Sequence, residues 1–219
     1  MGGRVTDATD RLRDATGVFG GTFDPIHVAH LAVAESARDT FGLRRVLFVP
    51  AARPPHKPDK PITAIEHRLA MVESALAGNP GFEMSRVEVD RPGPSYTVDT
   101  LAGLRDGVPD QRLALILSME SFLELPTWHE PARILELADL IVVPRDGYRE
   151  ADGGFLAGAF PGTAASACFL DGPRIRLSAS EIRQRAAAGR SIRYLVPDAV
   201  AAYIGDHGLY QDQRRTDRS

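Results

Sequence analysis

The stretch Arg112-Leu113-Ala114-Leu115-Ile116-Leu117 constrains this chain most, because five apolar residues run in sequence with no polar alternation. A strand that buries one face alternates apolar and polar residues, whereas a strand covered on both faces is apolar throughout. Leu140-Ile141-Val142-Val143 reads the same way, and Val46-Leu47-Phe48-Val49 is a β-rich run stopped by Pro50. Helical patterns lie between such runs. They cover His27–Thr40, with Leu31 and Ala34 on one face, Ile65–Ala77, with Leu69, Val72 and Leu76 in phase, Thr97–Leu104 and Pro131–Ala138. Further strands are expected at Thr16–Phe19, Phe82–Val89 and Phe169–Arg176, and helices at Ser180–Ala188 and Pro197–Gly205. Doubly buried strands alternating with helices predict an α/β fold: a mostly parallel sheet flanked by helices, with a small helical C-terminal part.

Composition narrows the function classes. The 26 basic and 29 acidic side chains leave a net charge of −3. A chain of that charge, with no basic stripe, is not built to hold nucleic acid or an anionic membrane by its overall field. If it handles phosphate, a local cluster must do so. The single cysteine, Cys168, excludes an intramolecular disulfide framework and a Cys-rich zinc site, and fits a cytoplasmic protein. Cys168 itself is expected to be inert. No apolar run approaches the ~20 residues that span a bilayer, and residues 1–15 lack the apolar core of a signal peptide. The 219 residues exceed the single-domain prior of about 150, which suggests one domain or a domain with an insertion.

The most informative corner is Gly17-Val-Phe-Gly-Gly-Thr-Phe-Asp-Pro-Ile-His-Val-Ala-His-Leu31. A strand runs into Gly20-Gly21, then a short turn, then a helix. Paired glycines let a ligand approach the backbone closely. The helix N-terminus supplies N–H groups and the positive end of a dipole, which suits phosphate. His27 and His30 are three apart and share a helical face. Neither a dinucleotide fingerprint nor a P-loop is present, and His-x-x-His lacks the Glu and third ligand of a zinc site. The plain alternative is a Gly-Gly turn followed by surface histidines, with Asp24-Pro25 starting the turn. His67 and Arg68 are expected to be structural or peripheral.

Gly20-Gly21-Thr22-Phe23-Asp24-Pro25-Ile26-His27-Val28-Ala29-His30 resembles the G-G-T-F-D-P-x-H-x-x-H signature of bacterial nicotinate-nucleotide adenylyltransferases, in the nucleotidyltransferase superfamily with an H-x-x-H motif. Leu177-Ser178-Ala179-Ser180-Glu181-Ile182-Arg183 resembles the family's I-S-S-T-x-I-R. Pro55-His56-Lys57 resembles its P-H-K loop, and Ser95-Tyr96-Thr97-Val98-Asp99-Thr100-Leu101 its S-Y-T-x-D-T-L. Pro126-Thr127-Trp128, Tyr194-Leu195-Val196-Pro197 and Leu209-Tyr210 also match, so the resemblance runs in family order from Gly17 to Tyr210. One departure stands out: Ser118-Met119-Glu120 replaces the usual Gly-x-Asp, which adds a Cβ and lengthens the carboxylate.

The resemblance implies a Rossmann-like nucleotidyltransferase fold. It implies a single domain over 15–211; the Gly- and Ala-rich, weakly periodic Gly153–Ala167 is expected to be a variable excursion, and the polar stretches 1–14 and 212–219 flexible tails. It also implies transfer of the adenylyl group of ATP to nicotinate mononucleotide, giving pyrophosphate and nicotinate adenine dinucleotide in NAD biosynthesis. The alternatives are another acceptor, nicotinamide mononucleotide or phosphopantetheine, or a nucleotide-binding homologue with impaired catalysis. By resemblance, His27, His30, Lys57 and Arg183 are the catalytic set. Gly20, Gly21, Thr22, Phe23, Ser178 and Ser180 bind ATP, with Ser180 the better helix-cap candidate. Thr97, Trp128, His129 and Glu120 serve the mononucleotide. Mg²⁺ is expected with ATP, bridging phosphates, with no protein metal site. A homo-oligomer is left open.

Overall fold

A computed structural model describes residues 10–53, 62–107, 111–144, 147 and 151–211. The elements run β1 (Thr16–Gly21), α1 (Val28–Phe41), β2 (Arg45–Pro50), α2 (Ile65–Leu76), β3 (Phe82–Met84), α3 (Thr97–Gly107), β4 (Leu113–Ser118) and α4 (Met119–Glu124). A 3-10 turn (Leu125–Thr127), α5 (Pro131–Leu137), β5 (Ala138–Val143), α6 (Gly153–Ala159), β6 (Ala167–Phe169), α7 (Ala179–Ala187) and α8 (Asp198–Asp206) complete the order.

The six strands form one sheet in the order β3-β2-β1-β4-β5-β6, and every pairing is parallel. This is the doubly wound, Rossmann-like arrangement, in which the strand order reverses between β1 and β4. The unbroken apolar strands are the cause. In β4, Leu113, Leu115 and Leu117 face one core layer while Ala114 and Ile116 face the other. β2 divides likewise, with Val46 and Phe48 on one side and Leu47 and Val49 on the other. One sequence run therefore supplies both cores, because successive side chains leave a strand on opposite faces. Ala34, Ala37 and Phe41 of α1, Met71 and Val72 of α2, and Val200 and Ile204 of α8 cover the first face. Leu101, Phe122, Ile134 and Leu156 cover the second.

Four local expectations change. Residues 10–12 form a helical turn rather than a tail, and Leu12 is buried against the first face. Arg112 holds this turn from below by donating to the carbonyls of Arg11 and Arg13. The strand expected over Phe82–Val89 stops at Met84, because beyond it the chain turns and Glu88 is drawn in to accept a hydrogen bond from the Thr100 hydroxyl at 2.7 Å. The excursion over Gly153–Ala167 contains α6, capped by Asp152, with Leu156 buried. The last strand lies at Ala167–Phe169, not Phe169–Arg176, because Leu140, Ile141 and Val142 pair with Ala167, Cys168 and Phe169. Residues 1–9 and 212–219, expected as tails, lie outside the described residues.

Candidate active site

β1 ends at Gly20-Gly21, at the carboxyl edge of the sheet beside the point of reversal, where ligands bind in folds of this topology. A Cβ built on Gly20 would meet nothing within 4 Å, so open space lies above the strand end there. A Cβ on Gly21 would lie 2.8 Å from the Phe23 ring, which folds back over it. Phe23 adopts a left-handed backbone (φ 48°), and its side chain is buried against Phe19, Phe48 and His30. It is therefore the Phe23 backbone, not its ring, that is available to a ligand.

His27 is the N-cap of α1 and is only 5% exposed. Its backbone N–H donates to His30 Nδ1 at 3.2 Å, which leaves His30 to carry its proton on Nε2. The two rings stack with centroids 3.6 Å apart. The His30 N–H goes to the His27 carbonyl at 2.9 Å, and the buried His27 Nδ1 is left without a partner of its own. Burial pushes the His27 imidazole down to about 4. Burial, and then repulsion from His27, puts His30 well below the usual histidine range. Both rings are thus neutral at pH 7, so any N–H they offer a ligand is an uncharged donor. The α1 terminus is also less open than its position suggests, since the Val28 N–H donates to the Leu195 carbonyl.

Positive charge comes from α7. Arg183 donates from Nη1 to the Asp24 carbonyl at 2.6 Å and from Nη2 to Ser180 Oγ at 3.2 Å. This brings Ser180 and Arg183 against the first turn, across 159 residues of chain. Ser178, not Ser180, caps the helix: its Oγ accepts from the Glu181 N–H at 3.2 Å. The extended backbone of Ser178 is the N-cap conformation, whereas Ser180 already lies inside the helix.

The second group of expected residues lies on α3, on α4 and at the end of the 3-10 turn. Thr97 opens α3, and the Tyr96 ring lies against His129 with centroids 4.4 Å apart. Trp128 is half-buried against the second core layer at the exit of the 3-10 turn. The His129 imidazole lies 3.3 Å from the Glu130 carboxylate. Ser95 exchanges hydrogen bonds with Arg53, tying this group to the chain that leaves β2. Glu120 stands on the first turn of α4, directly after β4. Ser118 has an ordinary extended backbone (φ −72°), and its Oγ accepts from the Ser121 N–H as the α4 cap. A side chain is therefore accommodated at 118 without strain. Lys57 lies outside the described residues. Among the described residues, no three His, Cys, Asp or Glu side chains group to hold a metal ion, and no helix is long and apolar enough to cross a membrane.

The sequence matches the cytidylyltransferase-like family over residues 18–185. A Thermomicrobium roseum protein named probable nicotinate-nucleotide adenylyltransferase is 51% identical to this chain over 195 residues, spanning 89% of this chain and 91% of that one. The chain belongs to the nicotinate-nucleotide adenylyltransferase family. A Salinibacter ruber protein of the same name is 48% identical over 89% of this chain and 97% of its own length. Among solved structures, Plasmodium falciparum nicotinic acid mononucleotide adenylyltransferase complexed with NaAD superposes with a TM-score of 0.74 at 20% identity, over 90% of this chain and 98% of that one. That likeness shows the shared fold.

Three residues beside the expected ones carry no site role in the sequence reading: Arg68, expected to be structural or peripheral, and Tyr96 and Tyr210, which stand only within matching motifs. Arg68 is 2% exposed and donates to the carbonyls of Thr22, Ala51 and Thr63. A charge in phase with the apolar stripe of α2, four residues before Val72, was the available signal. Tyr210 donates to Asp24 Oδ1 at 2.7 Å across 186 residues, a contact no local pattern announces.

Proposed function

We propose that this chain transfers the adenylyl group of ATP to nicotinate mononucleotide. The observation that carries the reading is the half-identical match to nicotinate-nucleotide adenylyltransferases over nearly the whole chain. A 5′-phosphate oxygen of the mononucleotide attacks the α-phosphorus of ATP. The new P–O bond forms as the bond to the β-phosphate oxygen breaks, and pyrophosphate carries away the negative charge. The nucleophile is already an anion at neutral pH, so no side chain has to remove a proton. Catalysis then rests on positioning and on charge stabilisation.

The first turn suits the triphosphate. The open space above Gly20 lets phosphate approach the Gly20–Phe23 backbone. His27 and His30 donate neutral N–H groups to phosphate oxygens, and removal of one such donor costs about 10²–10³ in rate. Arg183, held by Asp24 and Ser180, turns its remaining N–H groups and full charge on the same phosphates. Ser178 and Ser180 stand at the start of α7 beside it, and Lys57 adds a second cation. ATP enters as its magnesium complex. The imidazole and guanidinium donors of the turn match phosphate oxygens rather than a hard cation, so the ion would be held by the phosphates and would supply charge neutralisation there.

The acceptor lies on the Thr97, Trp128, His129 and Glu120 side. Trp128 stacks on the pyridine ring, and Thr97 with the His129 backbone N–H holds the ring carboxylate. Glu120, on the first turn of α4, serves the same mononucleotide. We also place the protein in the cytoplasm, consistent with its single, buried cysteine, whose thiol burial pushes up to about 11.

The test is pyrophosphate release from ATP and Mg²⁺ with a panel of acceptors. Nicotinate mononucleotide is expected to give the highest kcat/KM, followed by the amide form, with phosphopantetheine inactive. Absence of release above background with every pyridine mononucleotide would sink the reading.

A further inference from the structure

Behind the first turn lies a buried polar cluster that the transfer chemistry leaves unused. Asp24 is 4% exposed and Arg68 2%. Arg68 Nη1 donates to the carbonyls of Thr22 at 2.9 Å and Ala51 at 2.8 Å, and Nε donates to Thr63 at 2.9 Å. Asp24 Oδ1 accepts from the Tyr210 hydroxyl at 2.7 Å, and Oδ2 from the Thr63 N–H at 3.2 Å. Burial pulls the Arg68 guanidinium down, and the Asp24 charge opposes that pull. Burial and the neighbouring Asp24 carboxylate both push the Tyr210 phenol up, so it remains a hydroxyl donor.

The partners of this cluster are informative. Two ionised groups buried at this depth are costly and weak evidence for stability alone. Arg68 does not bridge helix to helix. Its three acceptors are the turn itself, at Thr22, and the two ends of the segment that carries Lys57, at Ala51 and Thr63. Ala51 also donates its N–H to the Gly21 carbonyl at 2.9 Å. The turn is thus gripped at Gly21, at Thr22, at the Asp24 carboxylate and, through Arg183, at the Asp24 carbonyl. Such grip is what a non-glycine residue in the left-handed region, Phe23, requires in order to stay there.

We propose that Asp24, Arg68 and Tyr210 are positioning residues that fix the Thr22–Asp24 turn, and with it His27 and Arg183, in the geometry that ATP needs. The C-terminal end of the domain thereby becomes part of the ATP site, although none of the three touches substrate. The proposal rests on the adenylyl-transfer reading, and its test separates the two. Tyr210→Phe removes only the hydroxyl that holds Asp24. Arg68→Lys keeps the charge but loses the fork that reaches three carbonyls at once.

The expected result for Tyr210→Phe is a rise of about tenfold in KM for ATP, the worth of a hydrogen bond to a charged group, with KM for the mononucleotide unchanged. Arg68→Lys should lower kcat/KM for ATP by about a hundredfold for the same reason, compounded over several bonds. Affinity for a non-hydrolysable ATP analogue, read by calorimetry, should fall in parallel in both variants, and melting temperature reports folding. A purely structural role would lower ATP and mononucleotide parameters together as stability falls, and that result overturns the proposal. So does unchanged ATP affinity in folded Tyr210→Phe. The calorimetric readout needs no acceptor, so a wild-type protein that binds the analogue but transfers to no mononucleotide refutes the function and still scores the positioning claim.

Discussion

His27 and His30 are neutral at pH 7 because they are buried, and burial leaves a mark on stability. In the unfolded chain an imidazole titrates near about 6.5, and in the fold His27 titrates at about 4. Between those values the unfolded chain holds a proton that the folded one lacks. Stability therefore rises with pH across that window. The contribution is complete above about pH 6.5 and is lost as pH falls to about 4. It amounts to about 3 kcal/mol for His27 alone at roughly 1.4 kcal/mol per unit, and His30 acts in the same direction. Denaturant midpoints from pH 7 to pH 4 should fall more steeply in the wild type than in His27→Ala. Parallel slopes would contradict the burial account. At this scale the sequence showed which residue types cluster but not their charge. A pair of histidines three apart reads equally well as charged or neutral until the stacked rings and the buried Nδ1 are seen.

At the scale of elements, β1 and the helix ends set the site. Gly20 and Gly21 look alike in sequence, yet only Gly21 is demanded by the protein itself, because the Phe23 ring lies over it. Gly20→Ala should keep its melting temperature and lose ATP affinity, since its Cβ enters the space left for phosphate. Gly21→Ala should lose about 1–3 kcal/mol of stability by overpacking. Thermal unfolding and ATP titration of the two variants check this, and the reverse pattern would contradict it. Strand and helix existence was legible from apolar runs and periodicity, whereas ends depended on longer-range partners. β3 ends early because Glu88 turns in to Thr100. Ser178 caps α7 while Ser180 meets Arg183, a choice between two serines that depends on backbone angles.

At the scale of the molecule, a mildly acidic chain assembles the proposed triphosphate site by topology. The parallel order places the ends of β1 and β4 beside each other, and α7 returns from a distant part of the chain to put Arg183 on the Asp24 carbonyl. The fold class and the two motif-bearing corners follow from the sequence, since apolar runs and motif order are local. The Arg68–Asp24–Tyr210 cluster was not legible, because its parts are scattered from the first turn to the last described residues. The measurement that tests the whole account most directly is dinucleotide formation from ATP and nicotinate mononucleotide by the wild type and by His27→Ala, with unfolding midpoints recorded on the same samples at pH 7.5. The account predicts turnover in the wild type and a loss of about a hundredfold or more in His27→Ala, with a folded variant. Equal turnover in the two proteins, or a loss no greater than the fraction unfolded, would contradict it.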